Sequence, residues 1–186
     1  MGIAIAEAAS DLGAEVALVL GPVESMPENQ SIKIVKVTTA DSMANECTRR
    51  FPECDIAILA AAVADFTPEI IESKKIKRTG QEIVLRLKPT KDIAGSLGKV
   101  KRENQILAGF ALETDNEIEN ATNKLRKKNL DLIILNSLRE QGAGFGFDTN
   151  KITIIDRNNI IDKFELKTKK EAAKDILEKI ITMLKS

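Results

Sequence analysis

The 186-residue chain contains no histidine, no tryptophan and no tyrosine. Without imidazole, the commonest zinc sites and the Ser-His and Cys-His nucleophile pairs are excluded. With phenylalanine as the sole aromatic, the usual stacking platforms for single-stranded nucleic acid are missing. Net charge is absent as well. The 28 basic and 28 acidic residues cancel, so no overall field draws the chain to nucleic acid or to an anionic membrane. Cysteine is scarce, and Cys47 and Cys54 show neither CxxC nor metal-ligand spacing. They read as reduced packing residues of a cytoplasmic protein, with a disulfide between them as the alternative. No apolar run is long enough to span a membrane, and no basic flank marks a signal peptide. The length suits one domain, residues 1–186, with a real core.

The most informative stretch is Ile56–Asp65, a β-branched apolar run followed by alanines and ended by a lone carboxylate. Such a run suits a strand buried on both faces of a parallel sheet. Ligands of open α/β sheets sit outside the carboxyl ends of such strands, where alanine lets a ligand approach the backbone. A close-packed turn with Asp65 as a helix cap is the competing explanation.

Strand and helix patterns alternate along the rest of the chain. Ile3, Ala6, Ala9 and Leu12 have helical spacing, and Gly13 closes that helix. Glu15–Leu20 and Ile32–Val37 read as strands, and Thr39 or Asp41 caps a helix running to about Arg50. The helix at the start has no cap or strand before it. It reads as the tail of a β–α–β unit whose first strand and Gly-rich phosphate loop would precede Met1. After Asp65 an irregular arm turns at Gly80, and Glu82–Leu87 alternates like a half-exposed strand. Asp92 opens a short helix, and Gln105–Phe110 is an apolar strand. A helix from about Asn116 to Asn129 leads into Leu130–Leu135, which ends at Asn136. Gln141–Asp148 is glycine-rich loop. Asp156-Arg157-Asn158-Asn159 marks a hairpin between Lys151–Ile155 and Ile160–Leu166, and Lys170–Leu184 is a terminal amphipathic helix. The expected class is α/β, a Rossmann-like, doubly wound, mostly parallel sheet with a late β-hairpin.

Three features could carry chemistry. The arm places Lys74, Lys75, Lys77 and Arg78 just beyond Asp65, and mobile cations of this kind suit a phosphate-rich ligand. A solvated loop would look the same. On the helix after Asn116, Ile118, Ala121 and Leu125 define a buried stripe with Lys124 and Lys128 on one flank. Those lysines could converge on an anion or simply complement the helix dipole. Phe110, at a strand end, could pack against a flat base or belong to the core.

The order of these pieces adds what none carries alone. Ala61-Ala62-Val63-Ala64-Asp65-Phe66, Lys75-Ile76-Lys77-Arg78, Asp92-Ile93, Gly109-Phe110-Ala111-Leu112-Glu113-Thr114, Lys124 to Asp131 and Asn136 resemble, in sequence order, the synthetase domain of phosphopantothenoylcysteine synthetase. Met1-Gly2 resembles the end of that family's Ser-Ser-Gly-Lys-Met-Gly loop, while Lys91 stands where the family usually has proline.

The resemblance implies a cytoplasmic homodimer that joins L-cysteine to 4′-phosphopantothenate using CTP and Mg²⁺. The route is an acyl-cytidylate, and the domain is often fused to a flavin-dependent decarboxylase. It further implies nucleotide-binding roles for Ala60, Ala61, Asp65, Lys75, Asp92, Ile93, Ala94, Phe110, Lys124 and Lys128. Lys75 is the lysine tied to cytidylate formation, and no protein residue is assigned to a metal. The family's essential asparagine falls in the loop expected ahead of Met1, so residues 1–186 alone are expected to turn over poorly or not at all. The rival readings are a nucleotide- or NAD(P)-binding module without ligase chemistry, or a reductase. The absence of tyrosine removes the Tyr-x-x-x-Lys pair of the commonest short-chain reductases.

Overall fold

The computed structural model describes every residue except Ser73, Thr79, Gln81, Thr114, residues 138–146 and Ser186, and describes Ser137 by its backbone alone. The elements are α1 (Gly2–Asp11), β1 (Ala17–Leu20), β2 (Lys33–Lys36), α2 (Ala40–Arg50), β3 (Ile56–Leu59), β4 (Phe66–Pro68) and β5 (Leu87–Pro89). They continue as α3 (Ile93–Val100), β6 (Ile106–Glu113), α4 (Glu117–Lys127), β7 (Leu132–Ser137) and β8 (Thr149–Asn150). The chain closes with β9 (Ile152–Asp156), β10 (Ile161–Lys163), β11 (Lys167–Thr168) and α5 (Lys169–Leu184).

Five strands form the central sheet in the order β10-β9-β7-β6-β3. β3, β6 and β7 are parallel, whereas β9 runs antiparallel to β7 and carries β10 as a hairpin. This is the expected α/β class with its late hairpin. Asp156 shapes the hairpin turn, its Oδ1 accepting from the Asn158 and Ile160 amides at 2.9 and 3.0 Å.

Period-2 alternation divides each parallel strand between two apolar layers. Ala108, Leu132 and Ile134 face α1 and α5, packing with Ile5, Ala172, Ala173, Ile176 and Ile180. Leu107, Ala111, Ile133 and Leu135 face the other way, toward Leu97 of α3 and Ala121 and Leu125 of α4. A capping box between Thr168 and Glu171 starts α5, and one between Thr39 and Ser42 starts α2. On α1 the buried residues are Ile5 and Ala6, with Ala8 and Ala9 packed beside them, while Leu12 is exposed. The stripe is thus rotated from the Ile3-to-Leu12 row that spacing alone picks out, because α1 turns its small residues toward α5.

Two expectations are corrected. All four residues of β3 are only half-buried, since β3 is the outer strand of the central sheet and not an interior one. Likewise Glu82–Leu87 is not a strand as a whole. The ladder joins Leu87–Pro89 to Phe66–Pro68, the Arg86 carbonyl also accepts from the Glu69 amide at 2.9 Å, and Ile83, Val84 and Leu85 are exposed. Among the described residues nothing covers them, so their alternation has no surface on which to be buried. The predicted loop 141–148 falls outside the described residues except for Phe147 and Asp148, and Thr114 of the quoted motif also lies outside them. β1 and β2 pair only with each other, in parallel, so among the described residues they share no hydrogen-bonded ladder with the five-stranded sheet.

Candidate functional site

The carboxyl ends of β3, β6 and β7 lie along one rim of the sheet because the three strands run the same way. Ala60 and Ala61 follow β3 directly, Phe110 and Glu113 lie in the last half of β6, and Asn136 is the penultimate residue of β7. Gly2, at the start of α1, comes close to the same place, an added Cβ there lying 3.6 Å from Ala60 Cβ.

Helices α3 and α4 bring charge to this rim. Asp92 is the N-cap of α3, its Oδ1 accepting from the Gly95 amide at 3.0 Å and from Lys128 Nζ at 2.9 Å. Burial works to raise the Asp92 carboxyl, but the Gly95 amide and the Lys128 ammonium outweigh it and hold the group below the usual carboxylate range. The pairing depends on Gly98. A Cβ on that residue would come within 1.9 Å of the Lys128 carbonyl oxygen, so only glycine lets α3 lie this close to the end of α4. Asn129 fastens the contact, its Nδ2 donating to the Gly98 carbonyl at 2.8 Å. A groove of about 470 Å³ follows, lined by Asp92, Ser96, Lys99, Lys127, Lys128 and Asn129 among others.

Lys124 is held separately. Its Nζ lies 2.5 Å from Glu113 Oε1 in an ion pair that is off the hydrogen-bonding direction. Long helical side chains lean toward the helix N-terminus, so both ammonium groups reach back toward the strand ends. Lys124 and Lys128 do share one flank of α4, with Ala121 and Leu125 buried as expected. They do not converge on one point, because each is drawn to a different carboxylate. Ile93 and Ala94 are half-buried against the α3–α4 core, and Phe110 packs partly against the opposite layer beside α1 and α5.

Asp65 and Lys75 stand apart from this cluster. Asp65 is exposed just before β4 and caps no helix, while its carbonyl accepts from the Thr90 amide at 2.9 Å. Lys75 is exposed on the arm between β4 and β5, with Lys74, Lys77 and Arg78. Two rim residues escaped the sequence assignment, Glu113 and Asn136. The signal for both was present: a polar residue ending an apolar strand, as with Asp65. Cys47 and Cys54 are free thiols whose pKa values burial pushes up. No helix among the described residues is long and apolar enough to cross a membrane.

Fold and rim together define an α/β protein of Rossmann-like class, with paired cations and carboxylates at the carboxyl ends of its parallel strands. The chain belongs to the family of the DNA/pantothenate metabolism flavoprotein C-terminal domain, whose pattern matches residues 1–184. It is 60% identical over 184 residues to a prokaryotic protein of unknown organism named "Cysteine/Cysteine sulfinic acid decarboxylase", covering 99% of this chain and 51% of that protein. It is 40% identical to the coenzyme A biosynthesis bifunctional protein CoaBC of Bacillus subtilis (strain 168), covering 100% of this chain and 45% of CoaBC. The chain therefore spans about half the length of these curated relatives. Its fold matches the crystal structure of the C-terminal domain of a CoaBC protein with a TM-score of 0.83 at 36% identity, covering 99% of this chain and 82% of the other. That domain is the synthetase part, the one the sequence motifs resemble.

Proposed function

We propose that this domain is a phosphopantothenate–cysteine ligase of coenzyme A biosynthesis. The observation that carries the reading is the two lysine–carboxylate pairs along one helix, Lys124 with Glu113 and Lys128 with Asp92, in a chain of this family. A carboxylate oxygen of 4′-phosphopantothenate attacks the α-phosphorus of CTP. The bond to the β-phosphate oxygen breaks, and pyrophosphate leaves with the electron pair. The cysteine amine then attacks the acyl carbon, its proton passes to solvent, and CMP departs.

Charge development in the first step calls for fixed or closing cations around the phosphates. Lys128 borders the groove, Lys124 stands one turn back on the same helix, and Lys75 sits on an arm long enough to fold over them. Lys75 is the proposed catalytic cation, with Ala60, Ala61, Asp65, Ile93, Ala94 and Phe110 completing the nucleotide surface. Among the described residues no three acidic, histidine or cysteine side chains gather as a metal cage. In this reading Mg²⁺ arrives on the triphosphate, which is how that ion usually enters nucleotide sites. The metal would neutralise phosphate charge there. A homodimer, a cytoplasmic location and association with a flavin-dependent decarboxylase belong to the same reading.

Isothermal titration with CTP, ATP and NADPH tests it, together with pyrophosphate release in the presence of Mg²⁺, 4′-phosphopantothenate and cysteine. Binding of CTP in preference to NADPH is expected. A preference for NADPH would establish the cofactor-binding module instead. Carbon dioxide release from cysteine, measured in parallel, checks the activity in the name of the 60% identical relative.

A further inference from the structure

Glu113 closes β6 with a carboxylate on a strand that is otherwise apolar. Period 2 puts it on the same side as Leu107 and Ala111, in the layer that faces α3 and α4. Its side chain is only 13% exposed, its Oε1 is buried without a hydrogen bond, and Lys124 Nζ stands beside that oxygen as counter-ion. The other lysine–carboxylate pair is built differently. The Asp92 side chain is 54% exposed and also accepts from the Gly95 amide, so solvent and backbone hold its charge when Lys128 leaves. Glu113 lacks that support among the described residues.

The charged groups near Glu113 are few. α4 presents Lys124, α3 presents Asp92 with Lys128 attached, and the acidic Asp115 and Glu117 follow Glu113 along the chain. β7 ends beside it in the neutral Asn136 and Ser137, and the segment after β3 is alanine and valine as far as Asp65. None of these groups replaces Lys124. A phosphate that draws Lys124 away therefore takes the cation from a largely buried carboxylate and sets an anion near it. Both changes disfavour the charged form of a carboxyl group, which then takes up a proton.

We infer that nucleotide binding at Lys124 is coupled to proton uptake by Glu113, which enters the complex as the neutral acid. This rests on the nucleotide-binding part of the reading above. Glu113 acts through Lys124 and not on the reacting atoms, as a positioning residue that withholds the ammonium until a phosphate competes for it. The complex binds more protons than the free protein, so affinity rises as pH falls and drops as pH rises.

The test is isothermal titration of wild type and Glu113→Gln with CTP at constant Mg²⁺, from pH 8 to pH 6, in buffers of different ionisation enthalpy, alongside thermal unfolding. Buffer dependence counts the protons taken up, and the titration of CTP itself is common to both proteins and cancels in their difference. Glu113→Gln keeps the size of the side chain and removes the titrating group. Wild type should take up more protons than Glu113→Gln, by up to about one at pH 6. At pH 8 Glu113→Gln should bind CTP about threefold or more tightly than wild type, because no carboxylate competes for Lys124, and the gap should narrow toward pH 6. Equal proton counts in the two proteins overturn the inference, and a changed melting temperature beside them would make Glu113 a structural residue. A Glu113→Gln protein that binds CTP more weakly at every pH overturns it too, since the charge would then be part of the binding surface. A wild-type protein that does not bind CTP would instead overturn the ligase reading, and the inference with it.

Discussion

Lys124 and Lys128 are each already neutralised, one by Glu113 and the other by Asp92. A phosphate entering the groove exchanges partners with those carboxylates, so the gain on binding exceeds what the lysines contribute to folding. The Lys128–Asp92 pair is open to solvent, and such pairs contribute roughly 0–1 kcal/mol to stability, whereas Glu113 is only 13% exposed and loses its cation when Lys124 is removed. Lys124→Ala and Lys128→Ala should each weaken CTP binding by about tenfold, roughly one charge-assisted hydrogen bond, with little change in melting temperature for Lys128→Ala and a lower one for Lys124→Ala. Equal losses in affinity and stability, without nucleotide preference, would return both residues to a helix-dipole role. Lys75→Ala should behave differently. Measured in a protein that also carries the family's Ser-Ser-Gly-Lys loop, CTP binding should survive, whereas pyrophosphate release should fall by a factor on the order of 10² or more, as for a group acting mainly in the transition state. The lysines were legible in the sequence because helical spacing alone put 124 and 128 on one flank. Their carboxylate partners were not legible, because both ion pairs depend on how helices and strands pack, which spacing along one helix does not encode.

Among the elements, α3 has the closest link between sequence and site. Gly98→Ala would press a methyl into the Lys128 carbonyl, and α3 would have to move off α4. We expect a loss of about 2 kcal/mol, typical of overpacking, seen as a lower denaturant midpoint, with weaker CTP binding as Asp92 and Lys128 separate. A stable Gly98→Ala protein with wild-type affinity would show that this contact does not organise the groove. The Asp92 cap also makes stability pH-dependent. Its carboxyl is held below the ordinary value in the folded chain, so its contribution is present above the unfolded carboxylate pKa and is lost as pH falls through the folded one. Asp92→Asn keeps the capping geometry but not the charge. The stability difference between wild type and Asp92→Asn should be widest near neutral pH and shrink toward pH 3. Most helices could be read in advance because their caps and stripes are local, as with Thr168-Glu171 and the residues from Ala172 to Ile180. The half-exposure of β3 and the missing strand at 82–86 depend on which strands lie alongside, and alternation within one segment says nothing about its neighbours.

For the whole molecule, the arm between β4 and β5 presents a row of exposed apolar side chains, with Ile71 at 87% and Val84 at 85% exposure. An apolar surface of this kind invites a second copy. Sedimentation at micromolar concentration should show a dimer, and Ile71→Lys with Val84→Lys should convert it to monomer without lowering the melting temperature. A wild-type monomer would leave the arm without that partner. The division between the β1–β2 pair and the five-stranded sheet has a separate consequence, for how the protein opens. No ladder bond joins the two sheets among the described residues, so β1 and β2 can come apart while the central sheet stays intact. Local opening then needs less free energy than global unfolding. Amide hydrogens of Leu18–Leu20 and Ile34–Lys36 should exchange with solvent deuterium well ahead of those of Leu107–Ala111 and Ile133–Leu135. The slower set should track the stability of the whole chain, whereas the faster set should report the local opening of β1 and β2 alone.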